Sequence, residues 1–339
     1  MRASRDGRRA AWVLCSLGLL AMVCIVFACA FGSVELSFYN LFWALGEVAR
    51  GDVPGSMAAT LLSLRLERAL SGFVVGAMLA LAGVMMQALL RNPLADPYVL
   101  GVSGGASVGA PGIMLFFSTA WMVDVAAFAG AIAVALLLFG LAYRDLRGGI
   151  SDGQAPLLLL TGMIVASGCG ALVALMLSVA PDGRLRSMVF WVIGDLSSTQ
   201  LGWLPWAVLS SVLIFAVRRA RHINVMVLHA EAATTLGIHV GSLRKGLFFC
   251  AALLTACTVS SAGAIGFVGL IVPHACRFAL GPDHRLLLPA ATIVGGTFLV
   301  VADTFARTVL APQQLPVGVI TALIGVPAFL IQLHHMRRR

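Results

Sequence analysis

Ten times along this chain roughly twenty residues pass with almost no charged side chain, at approximately 11–31, 65–89, 99–118, 122–142, 155–179, 200–217, 245–264, 266–280, 287–308 and 316–334. A helix of about 20 apolar residues crosses the hydrocarbon of a bilayer, and shorter segments cross when they are broken or buried among other helices. Of the 339 residues, 60% are hydrophobic and 11% charged, whereas a soluble domain carries about 25% charged residues. The pattern predicts an all-α polytopic membrane protein of about ten transmembrane helices, with residues 1–339 forming a single transmembrane domain. The first run imitates a secretory signal, because Arg2, Arg5, Arg8 and Arg9 precede it and Ala28-Cys29-Ala30 follows. Its apolar part exceeds the roughly 7–15 residues of a signal core, and it is expected to stay as the first span.

Charge fixes an orientation. With the N-terminus cytoplasmic, Arg2, Arg5, Arg8, Arg9, Arg91, Arg144, Arg147, Arg218, Arg219, Arg221, Arg244, Lys245, Arg277, Arg285 and Arg337 to Arg339 fall on the cytoplasmic side. Arg50, Arg65, Arg68, Arg184, Arg186 and Arg307 fall outside, a split of 17 to 6 among the 23 basic residues. This is the asymmetry of the positive-inside rule, and both termini are expected in the cytoplasm. The net charge of +9 then faces lipid headgroups and calls for no nucleic acid.

Two polar, glycine-rich passages interrupt the apolar runs, RNPLADPYVLGVSGGASVGA at 91–110 and GAIGFVGLIVPHACRFALGPDH at 263–284. Backbone that leaves the helix at membrane depth survives only where protein or a water-filled cavity satisfies it. The passages align without a gap at an offset of 180, which pairs Gly83 with Gly263, Pro93 with Pro273 and Gly101 with Gly281. The aligned segments follow spans two and seven, so the halves run oppositely through the membrane, an inverted-topology repeat of spans 2–5 and 7–10. Pro93 and Pro273 are expected to mark helix ends. Small residues at four-residue spacing, Gly72, Gly76 and Ala80 in span two and Gly162, Ala166 and Gly170 in span five, predict close helix contacts.

Metal and cofactor chemistry are not indicated. The seven cysteines form no C-x-x-C pair, and the seven histidines lie at or near the cytoplasmic side. Asp303 and Arg307, four residues apart in the ninth span, fit a local ion pair or a functional one. No G-x-x-x-x-G-K-[ST] motif occurs, since Lys245 is followed by Gly246 without the upstream glycine; any ATP-driven motor must be another chain. The charged stretch at about 218–244 contains Glu231-Ala232-Ala233 and, after three residues, Gly237. That spacing predicts a short helix ended by a glycine cap.

With these residues in order, the chain resembles the permease subunits of the ABC importers for iron-siderophores, haem and vitamin B12, the type II importers. The resemblance covers nearly the whole chain: RNPLADPYVLGVSGGASVGA, FWVIGDLS at 190–197, EAATTLG at 231–237, GAIGFVGLIVPHACR with GPDHRLLLPA, ADTFAR at 302–307 and LPVGVITALIGVPAFLIQL at 315–333. It implies a homodimer in a bacterial inner membrane, two ATP-binding subunits on the cytoplasmic side, and a periplasmic substrate-binding protein above. It implies that Glu231, Ala232, Ala233 and Gly237 couple to the ATPase, and that Arg65, Arg68 and Arg307 meet the binding protein. Broken-helix and gating segments would hold Asn92, Pro93, Gly101, Gly104, Gly105, Gly266, Gly269, Pro273 and His274. The path between spans five and ten would be lined by Thr161, Gly162, Ala166, Gly318 and Thr321. The cargo implied is a chelated metal compound, ferric siderophore or haem, with cobalamin as the alternative; a secondary transporter working without an ATPase is the reading from another class. Two departures stand out. Members of the family usually read R-L-P-R at the start of span two and carry Glu before L-P-V-G, where this chain has Glu67 and Gln314.

Overall fold

The computed structural model describes residues 2–32, 46–47, 55–117, 119–141, 155–197, 199, 202–228 and 230–337; Arg50, Arg144, Arg147, His229, Arg338 and Arg339 lie outside them. The described elements are helical: α1 (Arg2–Ala30), α2 (Met57–Leu90), a 3-10 turn (Pro97–Leu100), α3 (Val102–Phe116), α4 (Ala120–Leu141), α5 (Ala155–Ser178), α6 (Asp182–Ile193), α7 (Trp203–Leu228), α8 (Ala230–Thr235), α9 (Val240–Ala262), α10 (Val268–Leu280), α11 (His284–Thr308) and α12 (Val317–Arg337). Seven of them are long and apolar enough to cross a membrane, and Val102–Phe116, Val268–Leu280 and Val317–Ile331 are shorter apolar helices. Together they account for the ten spans.

The middle of the bundle is α2, which packs against α1, α7, α9, α10 and α11. Lipid is as apolar as leucine, so helices in a bilayer associate through close packing of small residues. α2 and α11 cross where Gly76 meets Gly295, and a methyl group on either glycine would strike the partner's backbone oxygen. α3 and α4 cross the same way at Gly105 and Gly130. Gly295→Val is therefore expected to push α2 from α11 at a cost of about 1–3 kcal/mol or more. Gly170→Val, at a glycine with nothing within 4 Å of an added methyl, should change stability far less, as thermal unfolding in detergent would record.

The packing repeats in inverted order. α2 lies on α11 as α9 lies on α4; α3 pairs with α4 and α5 as α10 pairs with α11 and α12; α3 touches α9 as α10 touches α2. Spans two to five and seven to ten therefore form equivalent halves. The gapless offset of 180 does not describe them. Residues 91–101, with a 3-10 turn, separate α2 from α3, whereas only residues 263–267 separate α9 from α10. Consequently Pro93 lies beyond the end of α2, as expected, but Pro273 lies inside α10. Having no N–H, it leaves the Gly269 carbonyl unclaimed four residues earlier. That carbonyl points at Gly83 of α2, where a side chain would collide with it.

Two boundaries also move. α2 starts at Met57, ahead of the expected 65, so Arg65, Glu67 and Arg68 lie well inside the helix and not at its beginning. α7 runs on to Leu228, so Arg218, Arg219 and Arg221 extend that helix, and the connection to α9 shrinks to residues 229–239.

Candidate functional site

After α2, the chain turns at Arg91, held in the left-handed region at φ 49°. The Asn92 side chain accepts from the Leu94 N–H at 2.9 Å, and the Asp96 carboxylate accepts from the Tyr98 N–H at 2.7 Å, capping the 3-10 turn. Gly101, at φ 69°, then opens α3. Gly101 faces the backbone of Gly162 and Ala166 on α5, and Gly104 faces Cys169 and Ala166 of the same helix. The first broken segment and the expected path helix are thus in direct contact. Thr161 is partly buried beside them. From the other half, Gly269 lies against the Pro97 ring and the Leu79 carbonyl. His274 is buried on α10 with no hydrogen-bond partner at Nδ1, whereas Gly266 stands with nothing within 4 Å of an added methyl.

Three helix ends meet at a second junction. α6 ends at Gly194 (φ 93°) and α9 at Gly263 (φ 69°), conformations that side chains other than glycine rarely adopt. The Asp195 N–H donates to the Ala262 carbonyl at 2.9 Å, and the Gly318 N–H, at the start of α12, donates to the Gly194 carbonyl at 3.2 Å. Gly318 approaches the Ile193 carbonyl so closely that no side chain fits. Thr321, one turn on, is buried and donates to the Gly318 carbonyl at 3.0 Å. Gly194 sits inside a quoted motif without a role read from it, and Gly263 enters the sequence reading only as the match of Gly83. Phe267, in the same glycine-rich passage, opens α10 at φ 69°, an outlier for a bulky residue that its own side chain does not announce. Gly325 of α12 leaves room for its ring.

Toward the opposite end of α2, four charged groups gather from two helices, α2 and α11. Asp303, 2% exposed, forms ion pairs with Arg68 at 2.8 Å and Arg307 at 3.0 Å. Arg68 also donates to Gln314 Oε1 at 2.9 Å. Arg65 donates to the carbonyls of Cys29 and Ala30, each at 3.1 Å, and Arg307 donates to that of Ala28 at 3.3 Å. These are the last carbonyls of α1, the negative end of a helix dipole, which suits cations. The three arginines do converge, but Arg65 and Arg307 are buried, and Arg65 turns away from exposed Glu67. Only Arg68, at 13%, reaches the surface. The expectation of three exposed charges reduces to one, because the other two brace α1.

Beside this end, a cleft of about 660 Å³ opens between the α3–α4 connection, α6 and the strand of chain after α6. Arg184 crosses it to the Met114 and Leu115 carbonyls at 3.0 and 2.6 Å, closing the C-terminus of α3. At the far end of the bundle, α8 ends in the way the spacing predicts. Gly237 lies at φ 77°, its N–H donating to the Thr234 carbonyl and that of Ile238 to the Ala233 carbonyl, both at 3.0 Å. This is the paired glycine cap of a helix C-terminus. Ala233 is buried; Glu231 and Ala232 form part of the helix. Among the described residues no group of three or more His, Cys, Asp or Glu is placed to hold a metal ion.

Residues 20–335 match the FecCD transport family. The chain is 42% identical over 291 residues to the cobalamin import system permease protein BtuC of Halobacterium salinarum, covering 83% of this chain and 75% of that protein. It is 37% identical to the hemin transport system permease protein HmuU of Yersinia pestis, over 93% of each chain. Among solved structures, it resembles a metal-chelate type ABC transporter in an inward-facing conformation, with a TM-score of 0.82, 27% identity and coverage of 96% of this chain and 99% of that one.

Proposed function

Since the chain belongs to the FecCD transport family, we propose that it is the permease through which an ATP-driven importer passes a chelated metal compound, ferric siderophore or haem, across a bacterial inner membrane. It is a transport subunit and not an enzyme; ATP hydrolysis resides on a partner chain. The observation that carries the reading is the family match across residues 20–335. The 42% identity to a permease named for cobalamin import supports cobalamin as a second cargo.

In this reading the subunit pairs with a second copy, both termini face the cytoplasm, and two ATPase subunits seat against the two copies of α8. Glu231, Ala232, Ala233 and Gly237 shape that contact. The path runs beside Thr161, Gly162 and Ala166 of α5 and Gly318 and Thr321 of α12. Asn92, Pro93, Gly101, Gly104, Gly105, Gly266, Gly269, Pro273 and His274 form the segments that shift as it opens. At the outer face Arg68 contacts an acidic group of the binding protein, with Arg65 and Arg307 holding the ground beneath it. Arg68→Glu is expected to weaken docking about 30-fold or more at low salt, the effect of losing a charge pair desolvated on contact. Unchanged docking at low ionic strength would remove Arg68 from the interface.

The test of the cargo is ATP hydrolysis by the reconstituted complex, measured with haem, ferric hydroxamate, ferric catecholate and cobalamin, each with its binding protein. Stimulation by one iron chelate or haem supports the first reading and stimulation by cobalamin the second. Stimulation by none contradicts both.

A further inference from the structure

Every buried arginine at the outer end has oxygen around it, as the cluster at Asp303 shows. Arg244 does not. It lies near the start of α9 and heads the fully buried side chains of the described residues, at 1% exposed. Nε, Nη1 and Nη2 all lack a hydrogen-bond partner. The charged group that acts on it is a second guanidinium, Arg91, at the end of α2. A buried charge normally keeps its place through an opposite charge and hydrogen bonds, because desolvation alone costs several kcal/mol. Here a second cation acts on the first, and among the described residues no carboxylate is hydrogen-bonded or ion-paired to Arg244.

We propose that Arg244 and Arg91 form a phosphate-binding site where α2 ends and α9 begins. A guanidinium presents a planar fork of donors that matches phosphate oxygens two at a time. Partly exposed Arg91 marks the way in. Because Arg244 itself has almost no solvent contact, binding requires a neighbouring segment to shift, so occupancy favours the shifted conformation. The phosphate is that of an anionic phospholipid or a free phosphate ion, and the site does not depend on which cargo the permease carries.

The test uses the full chain in detergent, stripped of lipid, with thermal unfolding followed by tryptophan fluorescence. One arm titrates inorganic phosphate against chloride at constant ionic strength; the other adds phosphatidylglycerol against diacylglycerol. A saturable rise in unfolding temperature is expected in at least one arm, and the arm names the source. Arg244→Gln should abolish it. Arg244→Lys and Arg91→Gln should weaken the apparent affinity about tenfold or more, as for loss of a charged hydrogen bond, and they carry the test if Arg244→Gln does not fold. No saturable rise in either arm, or the same rise in every variant, overturns the proposal. So does stabilisation by the ATPase subunit that Arg244→Gln removes without any response to phosphate, since that would assign Arg244 to a protein carboxylate.

Discussion

Asp303→Asn should cost the protein about 3–5 kcal/mol, the range for breaking one side of a buried ion pair. Asp303 stands between Arg68 and Arg307, and Arg65 is close enough to Arg307 to act on it electrostatically. Two cations share this carboxylate, and neutralising it removes the negative charge that both of them face. α1 is the element that should detach, because Arg65 and Arg307 fasten its last carbonyls. Adding Arg307→Met to Asp303→Asn removes one of the excess charges and should recover part of the loss. Thermal unfolding of the purified chain reads both variants. An Asp303→Asn protein as stable as the parent would show that the cluster is solvated and not a structural clamp.

The second large effect is expected at Gly237. Its φ of 77° costs a residue with a side chain about 1–2 kcal/mol, and a β-branched one more. The helix it closes spans only Ala230–Thr235, too short to persist without its cap and its packing. Gly237→Val should leave the membrane bundle folded, because nothing lies within 4 Å of an added methyl, while the surface offered to the ATPase is lost. Uptake should fall to near background, with either dissociation of the ATPase or hydrolysis no longer stimulated by substrate. Gly237→Asn, which tolerates the left-handed region better than other side chains, should retain much of the activity. Normal uptake by the valine variant would exclude α8 from coupling.

What could be read from the sequence follows the solvent. Ten spans were legible because hydrocarbon demands long uncharged runs, and the end of α8 was legible because Gly237 reports a backbone conformation directly. The start of α2 at Met57, ahead of Arg65 and Arg68, was not, since the groups that satisfy those charges come from residues 29, 30, 303 and 314. The register of the repeat is hidden for a different reason. Glycine and alanine are common on every tightly packed helix, so matches between them cannot reveal that one connection is longer than the other. Pro273 shows the same limit: a proline ends a helix only where the freed carbonyl finds no other place, and here Gly83 provides it. At the junction of α6, α9 and α12, the motifs pointed to the right stretches, but which glycines touch depends on contacts between distant segments.

A permease that is only a path must be driven by a separate motor, and uptake into proteoliposomes separates the two: these hold the permease alone or with its ATPase, with binding protein and radiolabelled chelate outside and ATP sealed within. Accumulation is expected only when permease, ATPase, binding protein and ATP are all present, and none from the permease alone under an imposed proton or sodium gradient. Gradient-driven accumulation by the permease alone would contradict this expectation.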